Sequence, residues 1–186
     1  MNTKNLKAEV DRVLTNAEIL YSTQEVESAL DKMAGEIRTC LEHENPLILC
    51  PMIGGIVVTG AIITRLDFPL EIDYIHATRY RGETTGKELQ WIRKPRENVA
   101  GRTVLILDDI LDEGITLEKI ILACKVAGAG KVYTGVLIDK KINSSRNLEH
   151  ADFTGLVVPD RYVFGYGMDY KGYLRNCRGI YAVSEA

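Results

Sequence analysis

Apolar residues recur every three or four positions at Val26, Ala29, Leu30, Met33, Ile37 and Leu41, the spacing of one face of an α-helix. Ser22-Thr23-Gln24-Glu25 stands directly before them in the order of a capping box, in which serine and glutamate each satisfy a free N–H at the helix start. Residues 1–45 therefore read as an N-terminal helical segment, its stripe a core or subunit contact. Pro46 then opens Leu47-Ile48-Leu49-Cys50, a short unbroken apolar run that suits a strand buried on both faces. Pro51-Met52-Ile53-Gly54-Gly55 reads as a turn before a helix from about Ile56 to Leu66, and Leu70–Thr78 as the next strand. Residues 79–98 are polar, with Leu89–Ile92 as a strand that returns to form a long hairpin. Val104–Leu107 is another apolar run, after which Leu117, Ile120, Ile121, Cys124 and Ala127 show helix spacing. Lys131–Asp139 is a further strand, and residues 141–155 read as an exposed connection. Strand-then-helix alternation predicts one α/β domain, a parallel sheet flanked by helices.

Composition narrows the classes. The 186 residues carry a net charge of −3 without a dense block of lysine and arginine, which argues against nucleic acid as a partner. The length is enough for one domain with a sizeable core. No apolar run approaches membrane-spanning length and no leader pattern opens the chain, so no membrane partner is expected. Cys40, Cys50, Cys124 and Cys177 are far apart and form no metal-type pair. The first three lie in apolar patterns, as buried thiols in a reducing, cytoplasmic compartment would.

The chemistry concentrates in Val104–Thr116, VLILDDILDEGIT. A strand that runs through an acidic, glycine-containing turn into a helix presents free N–H groups to an anion. A phosphate can sit on the N–H groups of Glu113, Gly114, Ile115 and Thr116, helped by the Thr116 hydroxyl and the helix dipole. Asp108 and Asp109, adjacent at a strand end, point to different sides and suit a polyhydroxylated ring or its metal. Carboxylates beside a phosphate pocket imply a ligand with hydroxyls, phosphate and Mg²⁺. The plain alternative is a strand and capped helix with solvated acids. Gly54-Gly55 at a second strand-to-helix junction can turn a backbone N–H toward an anion, or serve as a packing turn. Lys140 closes a strand in Asp139-Lys140-Lys141, where α/β sheets bind ligands; alone it would be a solvated lysine. In Leu156–Arg175, LVVPDRYVFGYGMDYKGYLR, an aromatic at a cleft edge can stack on a flat base, although clustered aromatics more often form core.

Asp108–Thr116 resembles the phosphoribosyl-diphosphate (PRPP) signature of type I phosphoribosyltransferases, and Leu156–Arg175 resembles the base-binding region of the six-oxopurine members. The resemblance is closest to the hypoxanthine-guanine transferases and covers roughly Leu47 to Arg175. It implies a type I phosphoribosyltransferase-like fold with a small hood over residues 156–186 and a mobile active-site hairpin over residues 79–98. It further implies a purine salvage enzyme that moves ribose 5-phosphate from PRPP to hypoxanthine or guanine, giving IMP or GMP and pyrophosphate with Mg²⁺. Asp112 is then the general base, Asp108 and Asp109 hold the ribose hydroxyls, and residues 113–116 hold the phosphate. Ile53, Gly54, Arg79, Tyr80 and Arg175 meet pyrophosphate, and Asp169 helps hold the metal. Lys140 meets the six-oxo group, to which it can only donate; Tyr162 stacks and Val163 offers its backbone, while Tyr166, Tyr170 and Tyr173 pack. A homodimer or homotetramer is implied as well.

Three departures qualify the match. Ile53 stands where a basic residue is usual, Arg79 where a serine is usual, and Glu113 where a small hydroxyl residue is usual. A carboxylate aimed at a phosphate would repel it, so Glu113 must turn to solvent or pair with a cation. The rival readings are a transferase for another base (xanthine, adenine or uracil), a PRPP- or nucleotide-sensing regulator of the same fold, and a Mg²⁺-dependent phosphohydrolase using Asp108 and Asp109.

Overall fold

A computed structural model of the chain describes residues 3–79, 89–95 and 99–184. Helix α1 (Thr3–Asn16), strand β1 (Glu18–Tyr21) and helix α2 (Thr23–Leu41) lead into β2 (Leu47–Met52), α3 (Gly55–Ile63), β3 (Glu71–Arg79) and β4 (Leu89–Arg93). There follow β5 (Thr103–Leu111), α4 (Ile115–Val126), β6 (Lys131–Lys141), β7 (Phe153–Pro159), β8 (Val163–Phe164) and β9 (Ile180–Ala182). Six strands form one sheet in the order β4-β3-β2-β5-β6-β7, parallel except for the antiparallel edge strand β4. A second antiparallel sheet, β1-β9-β8, joins the two ends of the chain.

The unbroken apolar runs of β2 and β5 are explained by the pleat, which sends successive side chains to opposite faces. Ile48, Leu105 and Leu107 enter the core shared with α2 and α3. Leu47, Leu49, Val104 and Ile106 enter the core shared with α4. All six stripe residues of α2 are buried. Its capping box is formed as expected, the Ser22 N–H donating to Glu25 Oε2 over 2.8 Å and the Glu25 N–H to Ser22 Oγ over 3.4 Å. A cap of this kind contributes about 1 kcal/mol, whereas each large apolar side chain fully buried contributes about 1.5–3 kcal/mol. Packing against the sheet therefore fixes α2, and the cap fixes where it starts.

Several local expectations need correction. The N-terminal segment is not helical throughout: β1 interrupts it, because Glu18–Tyr21 gains a partner in β9 from the far end of the chain. β5 does not stop at Leu107 but continues through Asp108 and Asp109 to Leu111, since β6 stays paired with it as far as Asp139. α3 ends at Ile63 rather than Leu66. The 141–155 connection gives way to β7 at Phe153, which is buried. Cys50 and Cys124 are buried, but Cys40 is exposed, being placed on α2 outside the apolar stripe. The returning strand exists as β4, paired antiparallel with β3; of the expected 79–98 loop, residues 80–88 and 96–98 lie outside the described residues. No helix among the described residues is long and apolar enough to cross a membrane.

Candidate active site

The parallel strands end on one side of the sheet, where a cleft of two adjoining lobes of about 450 and 510 Å³ opens. Asp108, Asp109, Thr116 and Asp169 line both lobes, so the carboxylates form the shared floor. The alternation that buries β5 continues into its acids: Asp109 follows the row of Leu105 and Leu107, Asp108 the row of Val104 and Ile106. Asp108 Oδ1 accepts from the Asp109 N–H at 3.0 Å and Asp109 Oδ1 from the Ile110 N–H at 2.9 Å. Burial, reinforced by the charge of Asp109, holds the Asp108 carboxyl well above the ordinary carboxylate range. Burial also raises Asp109, opposed by its hydrogen bond with Asp108 and by the Arg175 guanidinium.

This charge pair sets a stability prediction. The folded state holds a proton on Asp108 over a pH range in which the unfolded chain has released it, from about pH 4 upward. The stability tied to that proton is present at acid pH and is lost as pH rises through the raised folded value. Asp108→Asn, with no proton to lose, is expected to melt about 2–4 °C above the ligand-free parent at pH 8, for a gain on the order of 1 kcal/mol. The gap should shrink toward pH 4, a trend that thermal melts across pH would read directly.

After β5 the chain turns through Asp112 and Glu113 into α4, whose N-cap Gly114 takes the left-handed conformation at φ 77°. A side chain there would strike the backbone of Leu148. Thr116, at the start of α4, lines the cleft, whereas Ile115 is buried, so any part it plays is through its main chain. Glu113 is exposed and lies outside the cleft lining; its carbonyl accepts from the Asn147 N–H at 3.0 Å.

Opposite the turn, Lys140 at the end of β6 reaches between two carboxylates. Its Nζ lies 3.3 Å from Asp112 Oδ2 and 3.5 Å from Asp160 Oδ1, and only 14% of its side chain is exposed. Tyr162 and Val163 border the same lobe from the hood. Tyr162 is half exposed, its hydroxyl donating to the Asp169 carbonyl at 3.2 Å. Val163 is buried in β8, where it pairs with Ala182. Tyr166 packs in the core as expected and Tyr173 is exposed.

The second lobe is bounded by Ile53, Gly54 and Arg175. Arg175 Nη1 donates to the Gly167 carbonyl and Nη2 to Asp169 Oδ1, each at 2.5 Å, and Nη1 stands 3.9 Å from Asp109 Oδ2. Ile53, half exposed, follows a cis Met52–Ile53 peptide bond. Gly54 is required by close approach: a Cβ there would lie 2.2 Å from Asp109 Oδ2. Gly54→Ala should therefore displace Asp109 and raise the KM for the ligand of this lobe about tenfold, with a loss of roughly 1–3 kcal/mol from overpacking. Parallel titration and melting would check both. Arg79 ends β3, its side chain outside the description, and Tyr80 lies outside the described residues.

Among the described residues no three carboxylate, histidine or cysteine side chains gather in a metal-binding group. Mg²⁺ keeps several waters and takes one or two carboxylates plus phosphate oxygens. Asp169 fits that role: Oδ1 accepts from Arg175 and Oδ2 from the Gly172 N–H at 2.7 Å, and a carboxylate retains further lone-pair sites.

Sequence reasoning missed Asp160, His76 and Gly167. His76 lines the second lobe from β3, Asp160 faces Lys140, and a Cβ on Gly167 would meet the Gly54 carbonyl at 2.4 Å. Nothing local marks His76 or Gly167; Asp160, two residues before Tyr162, could have been suspected.

A sheet whose strand ends converge on a phosphate-ready turn, paired acids and a hooded edge matches an established family. The phosphoribosyl transferase domain model matches residues 16–171, most of the chain, and the chain belongs to the phosphoribosyltransferase family. It is 29% identical over 168 residues to the hypoxanthine-guanine-xanthine phosphoribosyltransferase of Tritrichomonas foetus, covering 90% of this chain and 92% of that one. It is 29% identical over 159 residues to the hypoxanthine-guanine phosphoribosyltransferase of Bacillus subtilis, covering 85% and 88%. The crystal structure of a hypoxanthine phosphoribosyltransferase from Staphylococcus aureus aligns with a TM-score of 0.83 at 25% identity, over 90% of this chain and 91% of that one.

Proposed function

We propose that this chain is a hypoxanthine-guanine phosphoribosyltransferase. It transfers ribose 5-phosphate from PRPP to a ring nitrogen of a six-oxopurine, giving IMP or GMP and releasing pyrophosphate. The observation that carries the reading is Lys140, a donor-only cation fixed at the cleft wall between Asp112 and Asp160, in the same lobe as Gly114 and Thr116. A fixed ammonium pairs with a carbonyl and opposes an amino group.

The bond from C1′ to the pyrophosphate oxygen breaks with its electron pair leaving on oxygen, and the purine nitrogen forms the new bond to C1′. The base's other imidazole nitrogen, N7, gives its proton to the Asp112 carboxylate as the attacking nitrogen becomes bonded. C1′ is electron-poor during the exchange, so the site acts mainly by positioning and charge. Asp108 and Asp109 hold the ribose hydroxyls, the start of α4 holds the 5′-phosphate, and Tyr162 stacks on the base while the Val163 main chain meets its edge. Arg175, Gly54 and the Ile53 main chain receive pyrophosphate. Mg²⁺, held by Asp169 and the ligand's own oxygens, supplies positive charge to the leaving pyrophosphate when bound. The enzyme is proposed to work as a homodimer or homotetramer in the cytoplasm.

Pyrophosphate release with PRPP and Mg²⁺ tests the assignment when hypoxanthine, guanine, xanthine, adenine and uracil are offered separately. Turnover with six-oxopurines and not with adenine or uracil is expected. Turnover with adenine at a comparable rate would overturn the base assignment. Tight PRPP or nucleotide binding without turnover on any base would make the chain a regulator instead.

A further inference from the structure

We propose that helix α1 is a positioning element for the purine, acting from outside the cleft through Glu9: its carboxylate holds Tyr170, and Tyr170 holds the ring of Tyr162. The inference rests on the assignment of Tyr162 as the base-stacking residue. The match to the family model begins at residue 16, the last residue of α1.

Glu9 Oε1 accepts two hydrogen bonds, from the Tyr170 hydroxyl at 2.7 Å and from Lys171 Nζ at 2.6 Å. The hydrogen bond from Lys171, then that from Tyr170, holds its carboxyl below the ordinary range, so the acceptor is charged at neutral pH and the bonds are charge-assisted. Tyr170 belongs to a tight turn. Its N–H donates to the Tyr173 carbonyl and the Tyr173 N–H to the Tyr170 carbonyl, each at 2.9 Å. The central residues Lys171 and Gly172 have φ 50° and 87°, the signature of a type I′ turn. The turn is also tied to Asp169 through the Gly172 N–H.

The Tyr170 ring meets Tyr162 edge to face, with centroids 5.6 Å apart and planes at 70°. Tyr162 is half exposed at the cleft. Its hydroxyl also donates to the Asp169 carbonyl at 3.2 Å. An edge-on neighbour fixes the plane of a stacking ring, and a pre-set plane lowers the ordering cost of binding a flat base. Behind the turn, Val10 of α1 is buried with Phe164 and Leu174, which seats the helix on the hood and aims Glu9 at the turn.

If α1 only covered apolar surface, loosening it would affect the cleft as a whole. If Glu9 positions Tyr162, the effect falls on the base alone. The test uses full-length protein carrying 3-fluorotyrosine, with the Tyr162 fluorine line identified by its loss in Tyr162→Phe. In Glu9→Ala and in the conservative Tyr170→Phe, the ligand-free Tyr162 line is expected to move. The KM for hypoxanthine or guanine is expected to rise roughly three- to tenfold, with kcat and the KM for PRPP within about twofold. Because both variants cut one link, the double variant should be no worse than Glu9→Ala alone. An unmoved Tyr162 line, or an equal rise in both KM values, would overturn the proposal. If the parent protein turns over no six-oxopurine at all, the functional assignment fails, and the fluorine line still decides whether Glu9 sets Tyr162.

Discussion

Asp112→Asn is expected to lower kcat for six-oxopurines by about two to three orders of magnitude, within the range that a positioned general base supplies. Asparagine keeps the size of the side chain and one oxygen with which to accept from Lys140, now 3.3 Å away. What it cannot do is take the proton that the purine nitrogen must release. The loss should therefore fall on kcat, while PRPP affinity stays within about twofold, because the proposed assignment gives the phosphate to the start of α4 and the ribose to Asp108 and Asp109. Single-turnover kinetics at saturating PRPP separates the chemical step from product release. Full turnover in this variant, with PRPP bound normally, would remove Asp112 from the proton-transfer role.

Lys140→Met is expected to change which base is accepted more than whether the protein folds. Methionine fills a similar volume but donates nothing, so the six-oxo group loses a charged hydrogen bond worth about 1.5–3 kcal/mol. KM for hypoxanthine and guanine should rise roughly 10- to 100-fold. The preference over adenine should collapse further, because a site built around a donor rejects an analogue that cannot accept, by up to about 10⁴-fold. The two carboxylates left behind, Asp112 and Asp160, are 42% and 46% exposed. Water can therefore solvate them, and the stability cost should stay near that of a surface ion pair, about 1 kcal/mol or less. Parallel assays with hypoxanthine and adenine, alongside a melting curve, give all three numbers. An unchanged ratio of the two bases would place the selectivity elsewhere in the hood.

The residues that sequence reasoning reached share a property: their chemistry lies in one continuous stretch. Asp108 to Thr116 can be read because strand, turn and helix start follow one another, and the backbone geometry travels with the sequence. Lys140 stands at a strand end, but its role came from the family resemblance and not from that place. What escaped depends on residues far apart in the chain. β1 has four residues and no strong alternation, and it is a strand only because Ala182 and Tyr181 lie opposite Glu18 and Ile19. Asp160 shows its role only beside Lys140, and His76 only once β3 is set next to β2. Gly54 drew notice as part of a glycine pair, but its reason, the oxygen of Asp109 against it, is a tertiary contact. Cys40 was misplaced because apolar neighbours in sequence do not say which side of a helix a residue occupies; α2 turns it to solvent.

The small sheet β1-β9-β8 joins residues from the start and the end of the chain, Glu18 opposite Ala182. The cradle formed by β2, β5 and α4 is complete by Val126, from contacts that are closer in sequence. During synthesis the ribose and 5′-phosphate cradle proposed at β5 and α4 can therefore assemble while the remainder is still on the ribosome, whereas the hood, with Tyr162, Asp169 and Arg175, waits for β9. Contacts that span so much chain carry the larger loop-closure cost and form late. On the proposed assignment the ribose and its 5′-phosphate thus rest on contacts local in sequence, while the purine and pyrophosphate also need the hood.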